Sequence, residues 1–576
     1  MIRRLSILFI GLTLLLSLFL PAWGNQNQHQ PTAKVDRIEK VDKLFSKWNN
    51  KESPGCAIAI IKEGNIIYKC GYGMADLERD VPINPGSVFD IASTSKQFVA
   101  MCILLLEEEK KLSLDDDIRK YIPGMPDYGD TITIRHLIHH ISGIRDYLVL
   151  MGLAGMSFAN DYPEAQIIQL IAQQKALNFK PGDELLYSNS GYFLLGVIVK
   201  RVSGKTLGEF AKEKIFQPLG MNATQFYDDY TRIVKNRAIG YSPQKDGGYV
   251  TELYLFDVVG DGGVLTTVED LFLWDQNFYH NKLGKSGQDL INRMLTPGSL
   301  NNGKKLDYAF ALGIGKYKGL KMVSHGGGWA GYRAQLIRFP EQQFSVICLA
   351  NEGSIDPTQL AQEVADIYLG DQFTGKTGES APGSPAKPKF INLTESALQQ
   401  KAGAYRELKT GRIWKLKVTE KKLEIASSSG LVFHFSPLSP TEFQAVDAPV
   451  DIHITFMPPV SPGKQAQMKV KIEDNDPDVY ESVPLITPDP AQLEEYTGRY
   501  YSDELDVTYE LLVKDKQLAA QLKYMEESIS LEPTVKDEFT FAGGMAMVKF
   551  IRNEEGRVSG FNVAAGRVKN IGFVKK

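Results

Sequence analysis

The sequence predicts an α/β (α+β) protein: an antiparallel sheet flanked by helices, with a helical insertion, followed by two small antiparallel β-barrel domains. Strand-like segments lie at residues 56–73 and 308–351, whereas residues 93–300 have mostly helical patterning. Strands at both ends with helices between them favour one sheet that is closed by two distant chain segments. An internal repeat near the end of the chain predicts the two barrels.

Composition limits the number of domains and the kind of partner. The chain has 576 residues, of which 43% are hydrophobic, so we expect more than one hydrophobic core. The net charge of −4 and the lack of a basic stripe predict no nucleic-acid partner. The 4 cysteines are too few for a disulfide framework. Cys56 and Cys70 flank a predicted hairpin, where they form either a cross-strand disulfide or two buried thiols.

Residues 1–24 have the pattern of a secretory signal peptide. Arg3 and Arg4 precede an apolar stretch at 5–20, and small residues flank a cleavage site after Gly24. The stretch is slightly short for a membrane span, so an uncleaved anchor is the less favoured alternative. We therefore expect an exported bacterial protein, periplasmic or secreted, that contacts a membrane only if the signal stays uncleaved.

The C-terminal part of the chain is predicted to contain two copies of one β domain. Residues 370–390 are rich in Gly, Pro, Ser and Lys without periodicity, which indicates a linker. Residues 391–482 and 485–576 then repeat one pattern, in which Gly403 corresponds to Gly498. Short alternating strands bounded by turns are typical of barrels or sandwiches, and we expect barrels that narrow access to the functional site.

A Ser-x-x-Lys sequence at Ser93 and Lys96 precedes a long apolar run that begins at Phe98. The other three such sequences have Pro directly after the Ser and lie in turn-like segments. Residues i and i+3 share a helix face, so the Ser93 hydroxyl and the Lys96 amine can lie within hydrogen-bond distance. A serine nucleophile needs a nearby base, and an amine serves as one only when it is neutral, which burial favours. The alternative is a capping serine with Lys96 turned to solvent.

Two further motifs carry polar residues that suit catalysis. The segment 179–196 places Tyr187 and Asn189 in a loop before an apolar helix. Tyr187 can relay a proton and Asn189 can hold a substrate amide, with a packed Tyr and a capping Asn as the alternative.

The segment 322–341 puts His325 in a strand that continues through three glycines, Gly326 to Gly328. Glycines weaken a strand unless something must approach the backbone closely, although a flexible hairpin also fits. A substrate along this edge would place its carbonyl oxygen between the Gly328 and Ser93 amides, which form an oxyanion hole.

These motifs make residues 38–368 resemble the penicillin-recognising serine hydrolases, the superfamily of class C β-lactamases, DD-peptidases, D-aminopeptidases and related esterases. The resemblance rests on three ordered segments, "FDIASTSKQF", "PGDELLYSNSGY" and "SHGGGWAGY". It implies two groups of site residues: Ser93, Lys96 and Tyr187 for catalysis, and Asn189, His325, Gly327 and Gly328 for substrate binding. Ser93 would be the nucleophile and the other two catalytic residues a shared proton relay, whose order stays open.

The third segment departs from the Lys-Thr-Gly of many relatives and resembles the His-x-Gly of D-aminopeptidases and some esterases. A neutral His325 binds a substrate carboxylate less well than a lysine does, so we expect substrates with uncharged ends. The two barrels after the domain resemble the lipocalin-like repeats of D-aminopeptidases. Fold alone does not assign a substrate.

The resulting hypothesis is an exported serine hydrolase that acts through an acyl-enzyme on amide or ester bonds of small substrates, foremost D-residue or cell-wall-type peptides. A carboxylesterase and a class C-like β-lactamase are the alternatives, and a non-catalytic penicillin-binding or sensor module is the alternative of another class. The partner is then a small molecule or short peptide, and a homodimer is one option for assembly. We expect no cofactor and no metal site, because the remaining histidines lack partners at ligand spacing.

Overall fold

The computed structural model describes residues 30–374 and 390–576, with gaps at 253, 410, 412, 427–431, 449–451, 459–464, 473–475, 524, 526, 542–543 and 545. The predicted signal peptide at 1–24 lies outside the described residues, as does most of the predicted linker. Within the described ranges, no helix combines the length and hydropathy that a bilayer span needs.

A six-stranded antiparallel sheet lies at the centre of the described N-terminal domain. In order across the sheet, its strands are Gly313–Tyr317, Leu320–Trp329, Tyr332–Phe339, Phe344–Ala350, Cys56–Lys62 and Asn65–Tyr72. The two chain segments meet where Cys56–Lys62 pairs with Phe344–Ala350. This confirms the predicted sheet of two distant segments.

One predicted strand is shorter than expected. Residues 308–312 form a turn instead, in which the Ala309 N–H donates to the Leu312 carbonyl and Ala311 has φ 56°. The apolar residues of this turn are buried in the core, and burial of a turn gives the same apolar pattern as burial of a strand.

Helices cover both faces of the sheet. Cys56, Ile58 and Ile60 pack on one face with Gln30–Phe45 and Pro357–Leu369. Ala57, Ala59 and Ile61 face the opposite way, toward Lys96–Glu108 and Val268–Asn277. Side chains alternate along a strand, so a strand buried on both faces reads as a continuous apolar run. The other α-helices of the described residues are Ile134–Ile138, Tyr147–Leu153, Glu164–Ala172, Asn189–Ser203, Leu207–Ala211, Gln217–Leu219, Gln288–Met294, Glu395–Gln399 and Pro490–Leu493.

Short strands connect the helical region to the sheet. They form three groups: Met74–Asp76 with Val81–Pro82; Phe89–Asp90, Val264–Thr266 and Gln225–Phe226; and Tyr241–Pro243 with Tyr249–Thr251. The second group lies directly before the Ser93 turn, because Phe89–Asp90 ends two residues upstream of it.

The described residues after 390 form two closed antiparallel barrels of eight strands each, which confirms the predicted architecture. The first barrel consists of Gly403–Glu407, Ile413–Thr419, Lys422–Ala426, Val432–Pro437, Glu442–Ala445, Ile452–Met457, Gln467–Ile472 and Asp478–Val483. The second consists of Gly498–Ser502, Val507–Lys514, Gln517–Leu522, Ile529–Pro533, Glu538–Phe541, Met547–Arg552, Val558–Ala565 and Val568–Lys575. The first and last described strands of each barrel pair with each other, which closes the sheet.

The four cysteines are free thiols, so the disulfide alternative is not formed. The register of the hairpin explains this, because Cys56 pairs with Tyr72 and Cys70 pairs with Ile58. The Cys56 thiol lies instead beside Cys348 of the neighbouring strand, and burial raises its pKa well above the ordinary value.

The second barrel is docked on the N-terminal domain through a buried ion pair. The Arg145 Nη1 donates to Glu504 Oε1 at 2.6 Å, and the two side chains are only 1% and 6% exposed. The barrel's apolar core is continuous with that of the N-terminal domain, whereas the first barrel has a separate core. The relative position of the second barrel and the N-terminal domain is therefore fixed by packing and by charge.

Replacing Glu504 with Ala should lower the free energy of unfolding by about 3 to 5 kcal/mol, because it leaves the Arg145 charge buried without its partner. Glu555→Ala on the same barrel removes an exposed ion pair and should cost less than about 1 kcal/mol. Urea denaturation of both variants measures the difference. Equal midpoints for the two would contradict the importance of this buried pair.

Candidate active site

Ser93 lies in a strained turn at the head of the buried helix Lys96–Glu108. Ala92, which precedes it, has φ 45°, a left-handed conformation that costs a non-glycine residue energy. Asp90 holds this turn, because its Oδ1 accepts from the Ala92 N–H at 2.7 Å while its Oδ2 accepts from the Tyr254 hydroxyl. Such strain persists only where the surroundings impose it, and here it turns the Ser93 side chain toward a cavity.

The two serines of this turn differ in their surroundings. Ser93 is partly exposed, whereas Ser95 is 0% exposed and its Oγ accepts from the Val264 N–H. Neither serine caps the helix through its side chain. The capping interpretation is therefore wrong for both.

The Lys96 amine is buried beneath the cavity and is not turned to solvent. Its Nζ donates to Ser93 Oγ at 3.0 Å, to Asn189 Oδ1 at 2.9 Å, and to the Asp261 carbonyl. Three acceptors match the three protons of an ammonium, so every proton of the charged form has a partner. Once this amine has given up one of its three protons, its contact with Ser93 Oγ is a direct path for proton transfer from the serine.

Tyr187 lies beside this amine, with its ring centroid 4.9 Å from Lys96 Nζ. Its hydroxyl has no hydrogen bond with any residue that the structure describes, so it is available to a substrate. His140 supports the ring from another side, with ring centroids 4.1 Å apart. Asn189 begins the helix Asn189–Ser203, and its main-chain N–H donates to Asp146 Oδ2 at 2.7 Å.

The glycines after His325 bring one strand of the sheet against the Ser93 turn. A Cβ on Gly327 would lie 2.1 Å from the Ile91 carbonyl oxygen and 3.1 Å from Ser93 N, so only glycine permits this approach. A Cβ on Gly328 would meet only ordinary contacts, so packing does not require glycine there. Both glycines line the cavity next to Ser93.

His325 and His140 are joined through Tyr308 in a chain of hydrogen bonds that fixes their protons. The Ser188 N–H donates to His140 Nδ1, so His140 carries its proton on Nε2 and donates it to the Tyr308 oxygen at 3.2 Å. The Tyr308 hydroxyl then donates to His325 Nε2 at 3.0 Å, and His325 Nδ1 donates to the Gly326 carbonyl. Each donor meets one acceptor only when both imidazoles are neutral.

Burial and nearby positive charge favour the same neutral imidazoles that these hydrogen bonds require. Burial, aided by the charge of Lys96, lowers the pKa of His325 from 6.5 to about 4. The same two causes lower the pKa of His140 well below its ordinary value. Asp261 is the opposite case, because burial raises its pKa to about 6 against the opposing effect of Lys96.

The cavity has a volume of about 440 Å³. The seventh predicted site residue, Lys96, lies directly beneath the cavity. The other six line it: Ser93, Tyr187, Asn189, His325, Gly327 and Gly328. Aromatic side chains, Tyr147, Tyr254, Phe256 and Trp329 among them, form much of the remaining wall. Among the described residues, no cluster of His, Cys, Asp or Glu could hold a metal ion.

Sequence reasoning missed Asp261, Tyr308 and Arg567 as residues of the site. Asp261 is followed by Gly262-Gly263, much as His325 is followed by three glycines, and this similarity was the signal that could have identified Asp261. Tyr308 lies in the apolar segment that was predicted as a strand, which concealed its role. Arg567 belongs to the second barrel and still lines the cavity, and nothing in the sequence connects it to Ser93.

Known proteins resemble this chain over the hydrolase-like domain and beyond it. The Beta-lactamase family matches residues 41–368. Penicillin-binding protein 4* of Bacillus subtilis (strain 168) is 30% identical over 450 residues, which cover 73% of this chain and 95% of that protein. The D-aminopeptidase of Gluconobacter oxydans (strain 621H) is 26% identical, over 62% of this chain and 64% of its own length, so the match leaves part of that relative uncovered.

Among solved structures, the octameric penicillin-binding protein homologue from Pyrococcus abyssi is 25% identical, with a TM-score of 0.53. The similarity covers 77% of this chain and 100% of that chain. The family match alone spans more than half of the sequence and includes every predicted site residue. The chain therefore belongs to the Beta-lactamase family and is a serine hydrolase.

Proposed function

We propose that this protein is an exported peptidase that cleaves amide bonds of small peptides containing D-residues, such as cell-wall peptides, through an acyl-enzyme on Ser93. The observation that carries the proposal is the buried Lys96 amine 3.0 Å from Ser93 Oγ, with the free Tyr187 hydroxyl on the same cavity. The likeness to proteins named D-aminopeptidase supports the substrate class. The N-terminal sequence supports export.

Acylation begins when Ser93 Oγ attacks the carbonyl carbon of the scissile amide. The serine proton passes to the Lys96–Tyr187 pair, which accepts it in the form that carries one proton fewer than an ammonium and a phenol together. The oxyanion accepts hydrogen bonds from the Ser93 and Gly328 amides. Collapse of this intermediate breaks the C–N bond, and the leaving amine takes the proton back from the pair. The acyl group is then esterified to Ser93.

Deacylation follows the same steps as acylation, with water in place of the amine. The same pair removes a proton from water, which attacks the ester carbonyl over the same oxyanion hole. Breaking the C–O bond returns the proton to Ser93 and releases a carboxylic acid. No redox step or external group is required.

The walls of the cavity support a small substrate with an apolar side chain. Phe256 and Trp329 offer aromatic contact area, and Asn189 Nδ2 has no hydrogen bond within the described residues, so it can bind a substrate carbonyl. Carboxylesterase activity is the second candidate, because the same acyl transfer cleaves esters and a neutral His325 places no charge requirement on the substrate.

Ser93→Ala should lower kcat/KM for a D-alanine anilide by roughly 10⁴-fold or more, since it removes the atom that forms the acyl-enzyme. Ser95→Ala is the matched control, because the Ser95 hydroxyl only accepts from a main-chain N–H. Chromophore release from the anilide, a nitrophenyl ester and a cephalosporin measures both variants. Activity that survives in Ser93→Ala would exclude this mechanism, and inactivity of the folded wild type on all three would favour the sensor alternative.

Tyr187→Phe should reduce kcat by roughly 10²- to 10⁴-fold with little change in KM, because it removes a proton relay and keeps the ring contacts. Tyr227→Phe deletes another hydroxyl on the cavity wall, one that donates to the Tyr230 carbonyl, and should stay near wild type. Steady-state kinetics on the anilide compare them. A similar kcat for both variants would remove Tyr187 from the relay.

The His325 ring should titrate near pH 4 in the folded protein. A pKa below the unfolded value of 6.5 means that the folded state binds fewer protons between these values. This contribution to stability is therefore present above pH 6.5 and is lost as the pH falls toward 4. Histidine-selective NMR titration, with His325→Gln to assign the signal, measures the midpoint. A midpoint near 6.5 would contradict the neutral hydrogen-bonded chain.

A further inference from the structure

The second barrel contributes one wall of the active-site cavity. Its last two strands, Val558–Ala565 and Val568–Lys575, are joined by a tight turn at Gly566 and Arg567. The Arg567 side chain lines the same cavity as Ser93 and His325. The residue is 42% exposed at its side chain, so the guanidinium is open to the cavity rather than sealed in the interface.

Main-chain hydrogen bonds hold this turn in place from the side of the N-terminal domain. The Arg567 carbonyl accepts from Asn178 Nδ2 at 2.8 Å and from the Asp146 N–H at 3.4 Å. Asn178 Oδ1 in turn accepts from the Lys569 N–H at 2.8 Å. Together with the buried pair of Arg145 and Glu504, these contacts fix where the arginine enters the site.

The guanidinium of Arg567 has unused hydrogen-bond donors. Its central carbon lies 4.7 Å from the centroid of the Tyr187 ring, on which it packs. It forms an ion pair with the buried carboxylate of Asp146, in which Nη1 lies 3.6 Å from Oδ2, too far for a hydrogen bond. The guanidinium makes no hydrogen bond with any residue that the structure describes. Five donors on a fixed, planar group suit a carboxylate, which accepts two parallel bonds.

The other basic groups at the cavity cannot take this role. Lys96 is buried and its three protons all have acceptors. His325 is neutral and both of its ring nitrogens are engaged. Among the described residues that line the cavity, Arg567 is therefore the cation with free donors.

We propose that Arg567 binds a carboxylate of the substrate on the leaving-group side of the scissile bond. The side follows from Tyr187, because it belongs to the pair that returns a proton to the leaving amine in the proposed mechanism and the guanidinium packs on its ring. The inference rests on the proposed function and narrows its substrates to short peptides with a free C-terminal carboxylate. This substrate differs from the one expected from the sequence, which had uncharged ends. The positive charge that His325 lacks, compared with the lysine of many relatives, is supplied by Arg567 of the second barrel.

A matched pair of D-alanine tripeptides, one with a free C-terminal carboxylate and one with a C-terminal amide, tests this on the full-length enzyme. Arg567→Gln should lower kcat/KM for the acid by roughly 10- to 100-fold, since a hydrogen-bonded charge contact is lost. The amide should change little, and Arg567→Lys should recover part of the loss on the acid. Lys569→Gln, in the strand after the turn and outside the cavity wall, controls for the charge of the hairpin and should match wild type.

Calorimetric binding of both tripeptides to the Ser93→Ala form separates this inference from the proposed function. Tighter binding of the acid that disappears in the Ser93→Ala, Arg567→Gln form supports the role of Arg567 even if the wild type cleaves neither peptide. Equal binding and equal turnover of acid and amide by the wild type would overturn the role and leave a peptidase mechanism intact. An equal loss on both peptides in Arg567→Gln would make Arg567 structural and would also overturn it.

Discussion

The active site depends on one buried amine. Lys96 lies at the point where three segments meet, and its protons reach Ser93 on its own helical turn, Asn189 at the start of another helix, and the Asp261 carbonyl. Removing a cation from water is costly unless each proton finds a partner. The amine can therefore be buried only when all three segments are in place, so folding of the domain and assembly of the nucleophile are one event.

Burial, aided by the charge of Lys96, sets the protonation state of His325 and His140. Burial disfavours a charged imidazole and the nearby Lys96 cation acts in the same direction, so His325 and His140 stay neutral. Neutral rings can alternate as donor and acceptor, and Tyr308 between them completes the chain. A lysine in place of His325 would have to share this space with Lys96. The His-Gly-Gly sequence thus leaves the cavity with less positive charge on the side of the sheet.

Local patterns in the sequence predicted the parts of the site that are close along the chain. The spacing of Ser93 and Lys96 is a helical relation, and the glycine run after His325 has a steric cause that the approach of Gly327 to Ile91 explains. Repetition predicted the two barrels. Asp261, Tyr308 and Arg567 act through contacts formed only in the folded chain, and no periodicity encodes such contacts. The turn at 308–312 was misread because buried apolar residues look alike in a strand and in a turn.

The docking of the second barrel explains why an arginine so distant in sequence can take part in recognition. A long side chain on a free loop would lose conformational entropy each time it bound a ligand. Here the turn is already held by Asn178 and Asp146, and the guanidinium rests on the Tyr187 ring. A buried ion pair such as that of Arg145 and Glu504 tolerates a single arrangement of its two domains, so it contributes orientation more than net stability. The two barrels share a repeated sequence pattern but differ in their packing, since the core of the first is separate from that of the N-terminal domain. Because the second barrel is fixed against the cavity, Arg567 adds a charge to the site from outside the catalytic domain.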